Sequence, residues 1–177
     1  DELSEFIRTL VDYQNQEFGN ITQHIKDPAL AGFIMGKLSY AREENVELSI
    51  ESETVIPEPK DPSITQDLIT ILGNLIDNSI EAMSETEEKT LEVIFNYTDD
   101  SLTIEVLDSG PGMSEDLQKK VFEKGYSTKG ENRGYGLYLV ANSVHKLGGE
   151  LMVDSKLLLG TEFHIQVPYE EKRSVND

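Results

Sequence analysis

One long apolar stripe in the middle of the chain limits the possible folds more than any other feature. Asp61-Pro62 reads as an N-cap followed by proline at the first helical position. Ile64, Leu68, Leu72, Leu75, Ile76, Ile80 and Met83 then recur at intervals of three and four. That spacing predicts a helix over 62–83 with one buried face. A helix of this kind must bury its stripe against another layer. Alternating runs on either side predict that layer. Leu91-Val93-Phe95 and Leu102-Ile104-Val106, separated by Thr98-Asp99-Asp100, predict a hairpin. Leu151-Val153 and Phe163-Ile165-Val167 predict a second, across Leu157–Gly160. Val46, Leu48 and Ile50 alternate with Glu47 and Ser49 as a further strand. A short helix is expected at 114–122, and another at 136–147, stopped by Gly148-Gly149. Helices inserted between hairpins imply an α+β two-layer sandwich with helices on one sheet face. The other face should be solvated, because the strands alternate.

The N-terminal part is different. Leu3, Phe6, Ile7, Leu10, Phe18, Ile21 and Ile25 predict a helix over 1–26 whose stripe is broken around Tyr13–Gln16. Asp27-Pro28 repeats the cap-and-proline signature and opens a helix to about Glu44, with Leu30, Ile34, Leu38 and Ala41 on one face. Pro57, Pro59 and Pro62 punctuate the loop after the first strand. Residues 1–44 are therefore set apart from a main unit at 45–170, and the polar residues 171–177 are expected to fray.

Composition removes several functions. The chain has 177 residues, with 15 Lys plus Arg against 34 Asp plus Glu, a net charge of −19. Nucleic-acid backbones and anionic membrane surfaces are gripped by clustered cations, so neither is an expected partner. There is no cysteine, which excludes disulfides, thiolate metal sites and a thiol nucleophile. No apolar run approaches the roughly 20 residues that span a bilayer. A cytoplasmic piece is expected. Its opening without Met suggests that it was cut from a longer protein.

Three elements carry chemistry. Asn74 and Asn78 are four residues apart beside the stripe, with Glu81 continuing the polar line. Their carboxamide oxygens suit a hard cation, although the pair alone fits solvated surface better. Asp108-Ser109-Gly110-Pro111-Gly112 follows a strand directly. An Asp there can accept from an exocyclic amine while the glycines let backbone approach a flat ring, although a plain turn has the same composition. Gly134-Tyr135-Gly136-Leu137 precedes a helix, where free N–H groups and the helix dipole suit phosphate oxygens. A dinucleotide fingerprint fails, since Leu139 stands at the third glycine position, and no Walker A loop occurs.

Together and in this order the elements resemble the Bergerat ATP-binding fold of the GHKL superfamily (gyrase, heat-shock chaperone, histidine kinase, MutL). Asn74–Ser79 is similar to its N box, Asp108–Gly112 to G1, Val121–Lys129 to the F box, Gly134–Leu137 to G2, and Gly160–Phe163 to the strand start that follows. The likeness covers about 45–168. It implies ATP and Mg²⁺ as cofactors. Asn78 would ligate Mg²⁺, and Asp108 would take the adenine amino group. Gly110 and Gly112 would shape the pocket under the base. Residues 123–135 would form a lid anchored by Phe122. Gly134 and Gly136 would lend amides to the phosphates, beside Leu137, with Thr161 at the closing strand. Lys129 and Arg133 are added on charge alone, as cations in the lid.

One departure separates the branches. Where the hydrolytic members have a general-base Glu, this chain has Asn74, which cannot take a proton at neutral pH. A histidine acceptor needs less activation. The chain thus resembles a sensor histidine kinase, a protein-histidine kinase in which Asn74 and Asn78 are the catalytic pair. Lys26–Lys37, Ala41-Arg42-Glu43, Glu123–Gly130, Arg133-Gly134 and Leu137–Val140 look like the citrate and C4-dicarboxylate sensor kinases. In that likeness 1–44 is the end of a dimerisation and phosphoacceptor hairpin. A homodimer through these helices, a response regulator as partner and a membrane-anchored full protein are implied. None of His24, His145 and His164 has the acceptor's His-Asp/Glu-x-x-Asn context, so the acceptor is expected upstream. A nucleotide-gated binding module and a GHKL-type ATPase remain as alternatives.

Overall fold

The computed structural model describes residues 2–126 and 135–174. Elements run α1 (Glu2–His24), α2 (Pro28–Glu43), β1 (Glu47–Ser52), α3 (Ser63–Ala82), β2 (Thr90–Thr98), β3 (Ser101–Asp108), α4 (Glu115–Lys120), α5 (Gly136–Lys146), β4 (Glu150–Lys156) and β5 (Gly160–Pro168). The strands form one five-stranded sheet in the order β1-β2-β3-β5-β4. β1 runs parallel to β2, and the other pairs are antiparallel. This is the expected α+β arrangement, with a helical layer against a mixed sheet.

Alternation decides which sheet face is buried. Leu91, Val93 and Phe95 of β2, Leu102, Ile104 and Val106 of β3, and Phe163, Ile165 and Val167 of β5 all point into the core. The residues between them are only partly covered. On that open face His164 approaches Glu105 at 3.4 Å, where the alternation places it. The β2–β3 turn is made by Asp99 and Asp100, both at positive φ, as a two-residue hairpin requires.

α3 lies against the buried face. Leu68, Leu72, Leu75 and Ile76 are fully or almost fully buried, each stabilising by roughly 1.5–3 kcal/mol. Leu72→Ala would cost about 2–5 kcal/mol through lost burial and the cavity left behind. The stripe is wider than the apolar spacing implied, because Ile71, Thr65, Asp67 and Ser79 are buried too. Asp67 is paired with Lys146 at 3.1 Å, which ties α3 to α5. The helix starts at Ser63, whose N–H donates to Asp61 Oδ1 at 2.9 Å.

The helix α2 packs with the sheet. Leu30, Ile34, Leu38 and Ala41 of α2 belong to the same core cluster as the sheet. Asp27 caps α2 through the Ala29 N–H at 3.0 Å, and it also accepts from the Thr65 hydroxyl in the first turn of α3. Among the described residues, α1 stands largely outside the core, with Ile21 its one buried residue, and the short α4 buries none. The start of the polar tail is not frayed. Glu171 bridges to Pro59, and the Lys172 N–H donates to the Glu58 carbonyl at 2.8 Å. Backbone pairing of this kind does not depend on side-chain polarity, which is why composition missed it.

Candidate functional site

A cavity of about 500 Å³ opens between α3, the end of β3, α4 and the start of α5. Asp108 lies at one end. It is the last residue of β3 and sits in register with Leu91 on one side and Thr161 on the other. The central strand therefore aims its carboxylate at the α3 layer. Oδ2 accepts from the Ser79 hydroxyl at 2.9 Å, and Oδ1 accepts from the Gly110 N–H at 2.9 Å. Burial pushes the Asp108 pKa above the ordinary carboxylate value. The donors from Gly110 and Ser79 and the Thr161 backbone amide act in the opposite direction. The result is an oriented acceptor facing the cavity, suited to a ligand N–H.

The other end is built by glycine and carboxamides. A Cβ on Gly136 would stand 3.0 Å from Asn74 Oδ1 and 3.3 Å from Asn78 Nδ2. The α5 N-terminus is thus seated directly on the two asparagines. Asn74 donates its Nδ2 to the Thr70 carbonyl at 2.8 Å, so its oxygen faces Gly136. Tyr135, at the N-cap position, offers no side-chain acceptor to the first turn. Among the described residues no N-cap side chain covers the first N–H groups, and they and the positive end of the helix dipole are directed toward this end, which favours an anion.

The walls are held by the β4–β5 hairpin. Gly112 has φ of 69° and lies so close to β4 that a Cβ would come within 2.0 Å of the Lys156 carbonyl oxygen. Only glycine fits that approach. The Met113 N–H donates to Ser155 Oγ at 2.8 Å, and Gln118 donates to the Ser155 carbonyl at 2.8 Å. Ser155 Oγ also meets Thr161 Oγ1 at 2.8 Å.

Of the residues expected from sequence, Asn78, Asp108, Gly112, Gly136, Leu137 and Thr161 line this one cavity. Gly110 stands behind the Asp108 carboxylate, and Asn74 behind Gly136. Phe122 supports the wall from outside, its ring edge-to-face with Phe163 at 6.4 Å. Lys129, Arg133 and Gly134 lie outside the described residues. Met113 and Leu117, which sequence reasoning missed, also line the cavity, as do Ser79 and Tyr126, which fell inside matched boxes without a role of their own. Ser79 was legible: it falls four after Leu75 and three after Ile76, on the buried stripe, and a buried hydroxyl needs a partner.

Asn78 and two acidic side chains, Glu81 and Glu85, lie on the same rim. Among the described residues no group of three or more His, Asp or Glu side chains could hold a metal by itself. One carboxamide oxygen nevertheless fits Mg²⁺, which keeps waters and shares substrate phosphates instead of taking an all-protein cage. His24 Nδ1 hydrogen-bonds to the Asn20 carbonyl at 2.9 Å within its own helix.

The chain is similar to known proteins in sequence and in fold. The family model described as histidine kinase-, DNA gyrase B-, and HSP90-like ATPase matches residues 64–171. The sensor histidine kinase DcuS of Escherichia coli (strain K12) is 36% identical over 173 residues, which cover 98% of this chain and 32% of that protein. The sensor protein CitS of Bacillus subtilis (strain 168) is 38% identical over 176 residues, covering 98% and 32%. The chain thus spans about a third of the length of these relatives. A solved catalytic domain of the histidine kinase ThkA superimposes with a TM-score of 0.65 at 22% identity, over 79% of this chain and 90% of that one.

Proposed function

The chain belongs to the histidine kinase-, DNA gyrase B-, and HSP90-like ATPase family, and from that premise we propose that it binds Mg-ATP and serves histidine phosphotransfer in a sensor kinase. One observation carries the reading. A part-buried, oriented carboxylate and a helix N-terminus that is seated on two asparagines and lacks a cap from its own N-cap side chain face each other across a single cavity. The first suits the amino group of adenine and the second suits phosphate oxygens.

Asp108 accepts the adenine amino group, and Gly112 keeps backbone clear of the base. The first N–H groups of α5 hold phosphate oxygens. Asn78 would hold Mg²⁺, which would supply neutralisation of phosphate charge. Lys129, Arg133 and Gly134 belong to the same proposal as lid groups. Positioning and charge stabilisation account for most of the catalysis. In the transfer a histidine nitrogen bonds to the γ-phosphorus, the β–γ bridging P–O bond breaks, and ADP carries the electron pair away. A response-regulator aspartate is the next acceptor.

An ATPase reading is disfavoured, because Asn74 has its amide tied to Thr70 and cannot take a proton from water. The exposed apolar residues of α1, Phe6, Ile7, Leu10 and Val11, suit packing against the same helix of a second copy. This supports reading residues 1–44 as the end of a dimerisation hairpin. Among the described residues no helix is long and apolar enough to cross a membrane. Attachment to a membrane-anchored sensor, with this domain in the cytoplasm, is part of the same proposal.

The test mixes this chain with γ-labelled ATP and an upstream segment of the full protein carrying the acceptor histidine. Acid-labile, base-stable label on that segment is expected. Nucleotide binding without transferred label would leave a binding module instead.

A further inference from the structure

We propose that Ser79 is the positioning residue that sets the purine preference of this cavity, by holding Asp108 as a pure acceptor for an amino group at purine C6. This rests on the nucleotide reading of the site and deepens it. Ser79 is 2% exposed, on a helix face otherwise given to the apolar core. Its hydroxyl has one nearby charged acceptor among the described residues, Asp108 Oδ2 at 2.9 Å.

The lone-pair arithmetic makes the case. A carboxylate offers about four acceptor sites. The Ser79 hydroxyl and the Gly110 N–H fill one on each oxygen, and the Thr161 backbone amide adds a third interaction. What remains for a ligand is one directed acceptor. Gly110 lies directly against this oxygen, since a Cβ at that position would stand 2.8 Å from Oδ1. An amino group donates to such an acceptor. An oxo group at the same ring position brings lone pair against lone pair and is rejected.

Ser79 matters twice. Its bond fixes the carboxylate rotamer, and its proton, committed to Asp108, keeps Oδ2 from carrying one of its own. Without Ser79 the carboxyl group loses a donor in a site where burial already disfavours its charge. It can then hold a proton and donate to an oxo group. Discrimination should fall while binding at the phosphate end is untouched.

The experiment measures calorimetric affinity for ATP and for inosine triphosphate, which differs in having oxo for amino at C6. The wild-type chain and Ser79→Ala are compared, with Ser79→Cys as a near-isosteric second variant. Wild type is expected to prefer ATP. The ratio should fall about tenfold or more in Ser79→Ala, the loss of one hydrogen bond to a charged group, and by less in Ser79→Cys. In an Asp108→Asn background the serine substitution should have no further effect. Two results would overturn the inference: a ratio within twofold of wild type in both variants, or an equal drop in the Asp108→Asn background. A wild-type chain with no affinity for either nucleotide would instead remove the nucleotide reading itself.

Discussion

The Tyr169 hydroxyl donates to the Pro57 carbonyl oxygen at 2.6 Å, and this bond fastens the chain just beyond β5 to the proline loop between β1 and α3. The ring is fully buried and meets Tyr97 edge-on, with centroids 5.6 Å apart. Tyr169→Phe keeps the ring and leaves a part-buried carbonyl without this donor, so it should cost about 1–2 kcal/mol. Tyr169→Ala also loses the packing and should cost about 3–5 kcal/mol. Urea unfolding midpoints check both. Burial, followed by the charge of Asp27, raises the phenol pKa far above its ordinary value. The group is therefore protonated across the neutral range, and its contribution is lost only as strongly alkaline pH approaches the raised value.

Gly136 gives a cleaner test of the phosphate end. Alanine is the better helix former and fits the backbone of a helix start. Its Cβ would nevertheless press on Asn74 Oδ1 at 3.0 Å and Asn78 Nδ2 at 3.3 Å. Gly136→Ala should leave the melting temperature within a few degrees and weaken ATP affinity about tenfold, near 1.4 kcal/mol. Calorimetry and thermal unfolding on the same samples separate the two effects.

Much of this was readable beforehand, because burial follows period. The stripe from Ile64 to Met83 and the alternating runs at 91–95, 102–106 and 163–167 each have one solution that hides their apolar side. Asp108 and Gly112 were legible as types. The close approach that makes Gly112 irreplaceable comes from Lys156, which sequence distance conceals. The place of α2 was not legible. Asp27-Pro28 marks where a helix starts, and nothing local says that Leu30 and Ile34 share a core with Phe95. Nor could composition reveal that Lys172 pairs with Glu58, since that bond is made by backbone.

Asp108 makes stability depend on pH in an unusual direction for a carboxylate. Its folded pKa is raised above 3.8, first by desolvation. Between the unfolded and folded values the native state holds more protons, so this group's contribution is complete below the unfolded value and declines as pH rises through the folded one. Asp108→Asn removes the titration. The stability of wild type minus that of the variant should therefore fall as pH goes from acid toward neutral. Denaturant titrations of both proteins across that range measure it, and a difference that is flat or rising would refute the assignment. ATP affinity should show the opposite trend, since an amino group needs the ionised acceptor, and should weaken in wild type below neutral pH relative to the variant.

Asn78 lies on a rim that also holds Glu81 and Glu85, in a chain of net charge −19. A bare triphosphate would meet like charge there, so the metal's share of binding should be large. If Asn78 contributes its oxygen to Mg²⁺, Asn78→Ala removes one hard ligand and leaves the Asp108 end intact. Wild type should bind ATP much more tightly with Mg²⁺ than with EDTA. The variant should lose about tenfold in the presence of Mg²⁺ and little in EDTA, the difference being the coupling between the side chain and the metal. Adenosine carries no phosphate and needs no metal, so its affinity should be the same in both proteins. Parallel titrations with ATP and adenosine, with and without metal, decide the point. An equal loss in all four conditions would show that Asn78 supports the cavity wall instead of the cation.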